Sequence, residues 1–558
     1  MNDNDYIRLK INCSFLLSAG IVGFIRFLKF AHADEGSDYL MKSQELWVSK
    51  DYLENTDVPK MYVDAAVEFL GKETKFSGIM AQKSELDKFF ELGEGPSAKE
   101  DVKKVNEIFK NFSDCIARNS FKAGFAIIGD MHPEKAFDDD LFSSFKKARD
   151  LKEKYELYLR LHEYLSDPDV MTVLKFKEIM YSHLKLFFEN TSFFLPKNLT
   201  KRFDQCYDDD FFTPLLNSFN STKRKTKRCI ECMELADNVR SISFMVDTTD
   251  DIARKKSAYW NCRPDAYVCP VCSFIYTFVP FAFVFSGRDS LFLNCNSSLE
   301  MLFKINETYR NKSLSETDGR RSLKARLYSY ISSSDLMAAA HKATSNVQVI
   351  FRSSEQDANH YRLNFIDKKT IEALKACDKE LGCIDGKFVK DGENFIRVYN
   401  EVFDNILYNR SLYPLIFKLM RIAFSQDSSM AFVGYVLKIE TTIRTKKESG
   451  NMDDMKTKLD SAFKCGIRMR ARLTEGISEK DADNSLRSLV YKLLNAVSTG
   501  DRISFLDSLI RVYSGKSEPI PYILKDTYKS DDDFRDIGTN YILGLKYSPK
   551  TEKTNQEA

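Results

Sequence analysis

Two Cys-X-X-Cys pairs, Cys229-Ile-Glu-Cys232 and Cys269-Pro-Val-Cys272, constrain this chain more than any other feature. A CxxC turn aims two sulfurs at a common point, and two such turns complete the tetrahedral all-thiolate set that holds a structural zinc. The gap between the pairs is longer than in a compact zinc ribbon. The metal is therefore expected to staple an excursion to a larger domain rather than to fold a free-standing finger. Two other readings stay open at this level: a redox pair, which would want one reactive CxxC at a strand-to-helix junction, and unmetallated buried cysteines. Four thiolates leave no position for water, which argues against a catalytic ion. Cys262 and Cys295 lie near enough in sequence to replace a ligand.

The rest of the chain is large enough to bury cores without disulfides. It has 558 residues, with 43 Phe and 26 Tyr, and is expected to fold rather than to serve as a disordered hub. Twelve cysteines at irregular spacing suit a reduced cytoplasm. A net charge of +2 excludes nucleic-acid coating through bulk charge, so any such contact must come from local patches. The stretch Cys13 to Ala33 imitates a secretory leader, but Arg26 and Lys29 fall between its apolar core and the Ala31-His-Ala33 site. It reads as an amphipathic or buried helix. Phe274 to Phe285 is too short to span a bilayer and is read as core strands.

The expected fold class is α+β. A mixed N-terminal domain covers residues 1–400 and carries a zinc-binding segment at about 223–296; a helical bundle follows over 401–547, and 548–558 form a disordered tail. Helical patterns run from Asp150 to Leu165 and from Val170 to Phe188, and helices are expected again from about Ser322. Asp138-Asp-Asp140 and Asp208-Asp-Asp210 read as loops, and Ser286-Gly-Arg-Asp289 as a turn. In the bundle, Leu486, Leu489, Val490, Leu493, Leu494 and Val497 form one apolar stripe, Gly500 stops that helix and Asp501 caps the next. The next helix is expected to bury Leu506, Leu509, Ile510 and Tyr513.

Catalytic signatures are sparse. No Walker loop, HExxH or GxSxG occurs, and the six histidines include no close pair. The chain is therefore expected not to be an enzyme. Carboxylate-only nuclease sites need no local motif, so a metal-dependent nuclease with a zinc-stabilised fold is the alternative. Nucleic-acid contacts have more support. Lys223, Arg224, Lys225, Lys227 and Arg228 precede the first CxxC, and Lys464, Arg468 and Arg472 recur every helical turn. Each of these sets also fits an ordinary solvated surface. Asn294 and Asn296 are candidate base readers, because an amide pairs bidentately with adenine, or else ordinary turn asparagines.

Three segments together resemble a known family: the paired CxxC motifs, Ser18-Ala-Gly-Ile-Val-Gly-Phe-Ile-Arg-Phe-Leu28, and Val490 through Tyr513. They look like the CXXC-CXXC large subunit of type I-B CRISPR interference complexes (Cascade), a resemblance running over essentially the full length. It implies a noncatalytic antiviral subunit that recognises the protospacer-adjacent motif (PAM) in duplex DNA, aids strand opening and recruits a helicase-nuclease. Implied partners are a guide-RNA complex with repeating backbone subunits, the target duplex and its displaced strand, with no membrane. The four cysteines transfer to the family motif, with Zn2+ as structural cofactor. The resemblance also implies a small subunit made from an internal start, for which Met430, Met452 and Met455 are placed.

Overall fold

A computed structural model describes residues 5–11, 14–91, 95–96, 98–222, 224–246, 266–287, 289–315, 326–327, 330, 347–355, 358–366, 368–425, 431–448, 450–476 and 479–547. Lys223, Cys262, Met430 and the tail 548–558 lie outside them. The chain forms two compact units, Met1–Asn311 with Gln348–Leu363, and Lys312–Val347 with Asn364–Ala558. The second begins ahead of residue 401 and takes in 364–400. Helices and sheets coexist, and the α+β class expected from the sequence is the class observed.

The first unit opens with β1 (Tyr6–Lys10), α1 (Phe15–Phe30), β2 (Tyr39–Lys42) and β3 (Glu45–Ser49); β3 lies between β1 and β2, antiparallel to both. Ser14 caps α1 by accepting from the Leu17 amide at 3.0 Å. The helix is buried from Leu16 to Leu28, as expected of a helix apolar on every side. Arg26 lies within it, buried, and donates to the Glu307 carboxylate and the Phe281 carbonyl. The leader-like stretch is thus a core helix. Among the described residues, no helix is long and apolar enough to cross a membrane.

A helical lobe follows, with Phe76, Phe109, Phe112, Phe121 and Leu174 at its centre. It includes α2 (Lys75–Ala81) and α3 (Pro168–Ser182). The helix expected over 150–165 runs Leu151–Leu165, whereas the one expected over 170–188 ends at Ser182 and gives way to a 3-10 turn. Buried Glu178 of α3 accepts from the Lys75 and Phe76 amides of α2, each at 2.9 Å. This is a helix cap delivered from a distant part of the chain. Glu178→Ala strands those amides and is expected to cost about 2 kcal/mol in urea unfolding, with Glu178→Gln losing less because one acceptor oxygen remains.

Four short strands frame the cysteines: β4 (Lys227–Arg228) pairs with β5 (Leu235–Ala236), and β6 (Arg240–Ser241) with β7 (Tyr267–Val268). Next come α4 (Pro270–Tyr276) and α5 (Val279–Ala282), then β8 (Val284–Ser286), β9 (Asp289–Asn294), β10 (Val347–Glu355) and β11 (Ala358–Ile366) in a sheet of order β11-β10-β9-β8. The Phe274–Phe285 run, expected as strands, is therefore largely helical. Its periodicity could not reveal this, because every side of the run is buried. Local signals decide it: Pro270 stands at the first helical turn behind the capping Cys269. Close packing fixes it in place. A Cβ on Gly23 of α1 would sit 2.0 Å from the Phe278 carbonyl oxygen, and one on Gly20 2.6 Å from that of Ile275.

Other local expectations resolve case by case. Ser286 pairs with Asp289 across the expected turn. Asp138 caps the helix Asp139–Lys147 instead of lying in a free loop, and Asp208–Phe212 forms a π-helical turn. Where helices are expected from about Ser322, strands β10 and β11 intervene, followed by the hairpin β12 (Phe388–Asp391) and β13 (Asn394–Arg397).

Helices dominate the rest of the second unit: α6 (Val398–Leu407), α7 (Tyr413–Ser425), α8 (Ala431–Lys447), α9 (Met452–Leu473), α10 (Glu479–Thr499), α11 (Arg502–Gly515) and α12 (Asp531–Lys546). The apolar stripe of α10 is buried, with Leu489 half-buried. Gly500 adopts φ +77°, and Asp501 accepts from the Ser504 amide at 2.9 Å. The face of α11 differs from the expected one. Phe505, Leu509 and Tyr513 point inward, Leu506 is half-buried and Ile510 is exposed. The rotation follows from α12, where Phe534 meets Phe505 edge-on at 5.4 Å. Helices α9 and α12 cross at Gly466 and Gly544, and Arg470 of α9 donates to the Leu545 carbonyl at 2.9 Å.

Candidate metal centre

The first cysteine pair sits in the loop between β4 and β5. The Cys229 amide donates to the Glu234 carbonyl at 2.9 Å, the Met233 amide to the Cys229 carbonyl at 3.1 Å, and Met233 takes a left-handed φ of 62° that closes the turn. The second pair sits where β7 runs into α4: Cys269 caps the helix, with the Cys272 amide 3.4 Å from its sulfur. One backbone bond, from the Ile230 amide to the Tyr267 carbonyl at 2.9 Å, ties the two turns together.

This geometry brings all four sulfurs within 4.8 Å of one another. Cys232 Sγ and Cys269 Sγ are 3.7 Å apart. That separation is far beyond a disulfide bond of about 2.05 Å. It matches the edge of a tetrahedron of sulfurs around an ion at about 2.3 Å from each. Cys229, Cys269 and Cys272 are buried and Cys232 is half-buried. Without a cation the sulfurs compete for charge: hydrogen bonds from Cys232, Cys269 and Cys272 pull the Cys229 thiol far below the usual thiol range, while bonds to Cys229, Cys232 and Cys269 push Cys272 well above it. One bound cation would remove that conflict by stabilising all four thiolates. Cys295 stands apart from the cluster, with its sulfur 3.1 Å from Ser297 Oγ. The structure thus gathers Cys229, Cys232, Cys269 and Cys272 as a set able to hold a metal ion.

A family model for CRISPR-associated protein (Cas_CXXC_CXXC) matches residues 222–284. That segment is similar to a CRISPR-associated CXXC-CXXC family. No curated protein and no solved structure matches the chain. The Cas_CXXC_CXXC match takes in both cysteine turns, α4, α5 and the helical Phe274–Ala282 stretch on which Gly20 and Gly23 rest. The opening Ser18–Leu28 segment is therefore packed directly against the matched stretch.

The basic run at the start of the Cas_CXXC_CXXC match is exposed from Arg224 to Arg228. Two of its charges brace the cysteine turns. Lys227 Nζ lies 4.1 Å from the centre of the Tyr267 ring, and Arg228 donates to the Met233 carbonyl at 2.7 Å. Arg224 and Lys225 precede that brace. Asn294 is buried in β9, where its amide donates to Gln348 Oε1 of β10 at 3.0 Å; it faces its neighbouring strand rather than a DNA groove. Asn296, beyond the strand end, is exposed.

Lys464, Arg468 and Arg472 belong to the second unit. All three are exposed along α9, as their spacing implies, and they line one wall of a groove of about 1060 Å³. Glu518, Ile520 and Tyr522 line it as well, and Arg472 pairs with Glu518 at 2.8 Å. Tyr522 is 77% exposed, which adds an aromatic face to a cationic stripe. The sequence reading missed Tyr522. Its only signal is the Pro519-Ile-Pro521 stretch that holds the segment extended before it.

Proposed function

We propose that this chain is a noncatalytic large subunit of a type I-B CRISPR RNA-guided surveillance complex. The observation that carries the reading is the four-cysteine cluster lying inside the stretch similar to the Cas_CXXC_CXXC family. Zn2+ is the ion the all-thiolate set favours, and its role is to hold the two turns and the start of α4 in register. The gathered metal-ligand set among the described residues is all sulfur, which favours a structural ion over the carboxylate site a nuclease would use.

In this reading the complex works in the cytoplasm, and guide pairing supplies most of the sequence specificity. The subunit needs only a short groove-reading element for the protospacer-adjacent motif and nonspecific phosphate contacts. Arg224 and Lys225, on the metal-braced segment, and Asn296, whose carbonyl accepts from Gln44, are exposed residues that would approach the duplex. The groove of α9 would take the displaced strand, and other surfaces would recruit the helicase-nuclease. An internal start at Met452 would coincide with the first residue of α9.

Expression with genomic neighbours tests the reading. Copurification with guide RNA and a repeating backbone subunit supports it; a lone metal protein that cleaves DNA with a divalent ion returns the nuclease. Alanine at Lys464, Arg468 and Arg472 should flatten the slope of log affinity against log salt by about 2, since each single-strand phosphate contact contributes about 0.7. An unchanged slope removes the stripe from the interface.

A further inference from the structure

The hairpin β12–β13 carries an unusual outer face. Phe388 pairs with Arg397 and Lys390 with Phe395 in the strand register, so these four side chains share one face in a checkerboard of rings and cations. The other face carries Val389, which is buried, and Ile396, half-buried. Phe388 is 57% and Phe395 66% exposed. Single exposed apolar residues need no explanation, but two phenylalanines diagonal to each other on one face make a patch. The hairpin itself is well anchored. Gly392, at φ +63°, turns it, Asp391 is held by Lys418 at 2.8 Å, and the Val398 amide donates to the Lys387 carbonyl at 3.1 Å. The rings are therefore presented on a fixed base.

We infer that this face is a stacking platform for unpaired bases of a single-stranded nucleic acid. Positive charge beside exposed rings is the arrangement that binds such strands: the rings take base faces of any identity, and the Arg397 guanidinium neutralises a flanking phosphate. Diagonal positions on an antiparallel pair lie about 7–8 Å apart, a spacing that lets two rings serve two bases of an unstacked strand. The Arg397 guanidinium, 5.5 Å from the Phe388 ring centre, orders one corner of the face before any strand arrives. Base dependence of binding separates a strand from an acidic protein partner, which would use the same charges. The inference rests on the reading that the chain acts on nucleic acid, and it adds a site distinct in sequence from the α9 stripe.

The test uses the full chain with two single strands of equal phosphate count, oligo-dT and an abasic strand. The wild type should prefer oligo-dT. Phe388→Ala with Phe395→Ala should weaken oligo-dT binding about tenfold per ring and leave abasic binding unchanged. Tyrosine at both positions should preserve the preference, and leucine at both should behave as alanine. Equal binding of the two strands by the wild type, or no binding of either, overturns the proposal. Full retention by the leucine pair also overturns it and makes the face an apolar docking surface. A change confined to self-association of the chain assigns it to a second copy. None of these results touches guide-RNA copurification, so failure of the platform and failure of the CRISPR reading are separable.

Discussion

Cys272→Ser should abolish metal binding and lower the melting transition of the first unit by about 10 °C, given roughly 2–4 °C per kcal/mol for large domains. The wild type should release about one metal equivalent per chain on acid denaturation, as a closed four-thiolate site holds one ion. The binding free energy of small thiolate zinc sites, roughly 10–16 kcal/mol, appears as folding free energy when the unfolded chain has no site. Only part of it is expected here, because α4 and α5 are also held by α1 and the surrounding aromatic core. Serine at Cys229 should act alike. Cys295→Ser is the control, since its thiol meets Ser297 rather than the cluster, and it should retain the metal. A serine variant at position 272 that melts with the wild type would show that the cluster is not structural.

Gly23→Ala should be the most damaging single methyl added to the first unit. The new Cβ would lie 2.0 Å from the Phe278 carbonyl oxygen, a backbone atom that no rotamer change can move aside. Overpacking costs typically 1–3 kcal/mol and sometimes more, and a rigid obstacle places this site at about 3 kcal/mol or above. Gly78→Ala is the counterpart. It also lies within a helix, α2, but nothing stands within 4 Å of the place its added methyl would take. That variant should gain about 0.5–1 kcal/mol from helix propensity. Displacing α5 from α1 should also shift the adjoining α4, so Gly23→Ala is expected to weaken metal retention without touching a ligand. Equal denaturation midpoints for the two variants would refute the close-packed reading of α1.

The four-cysteine cluster was legible because chemistry, not context, sets its spacing: a CxxC turn presents two sulfurs wherever it occurs. The α10–α11 boundary was legible for a similar reason, since Gly500 and Asp501 act through their own backbone and side chain. Positions decided by distant neighbours were not. The Phe274–Phe285 run is apolar on every side, so its period carried no information, and the deciding contacts come from α1. Asn294 offered a good base-reading amide in sequence, but its strand partner Gln348 takes the amide inside the sheet. Ile510 fitted the apolar rhythm of α11, yet Phe534 drew Phe505 inward and left Ile510 to solvent. The β12–β13 hairpin carried a readable Asp391-Gly392 turn signal whose alternating flanks were passed over.

The union of α1 with α4 and α5 has a consequence for the newborn chain. Arg26 and its carbonyl partner at Phe281 are 255 residues apart. A ribosome adding about 5–20 residues per second needs roughly 13–50 s to cover that distance. For most of that interval a helix meant for the interior has none of these partners, and the second cysteine turn does not yet exist. Translation thus delivers the apolar helix long before the segment that covers most of it, which is complete only once Cys269, Cys272 and Phe281 have emerged.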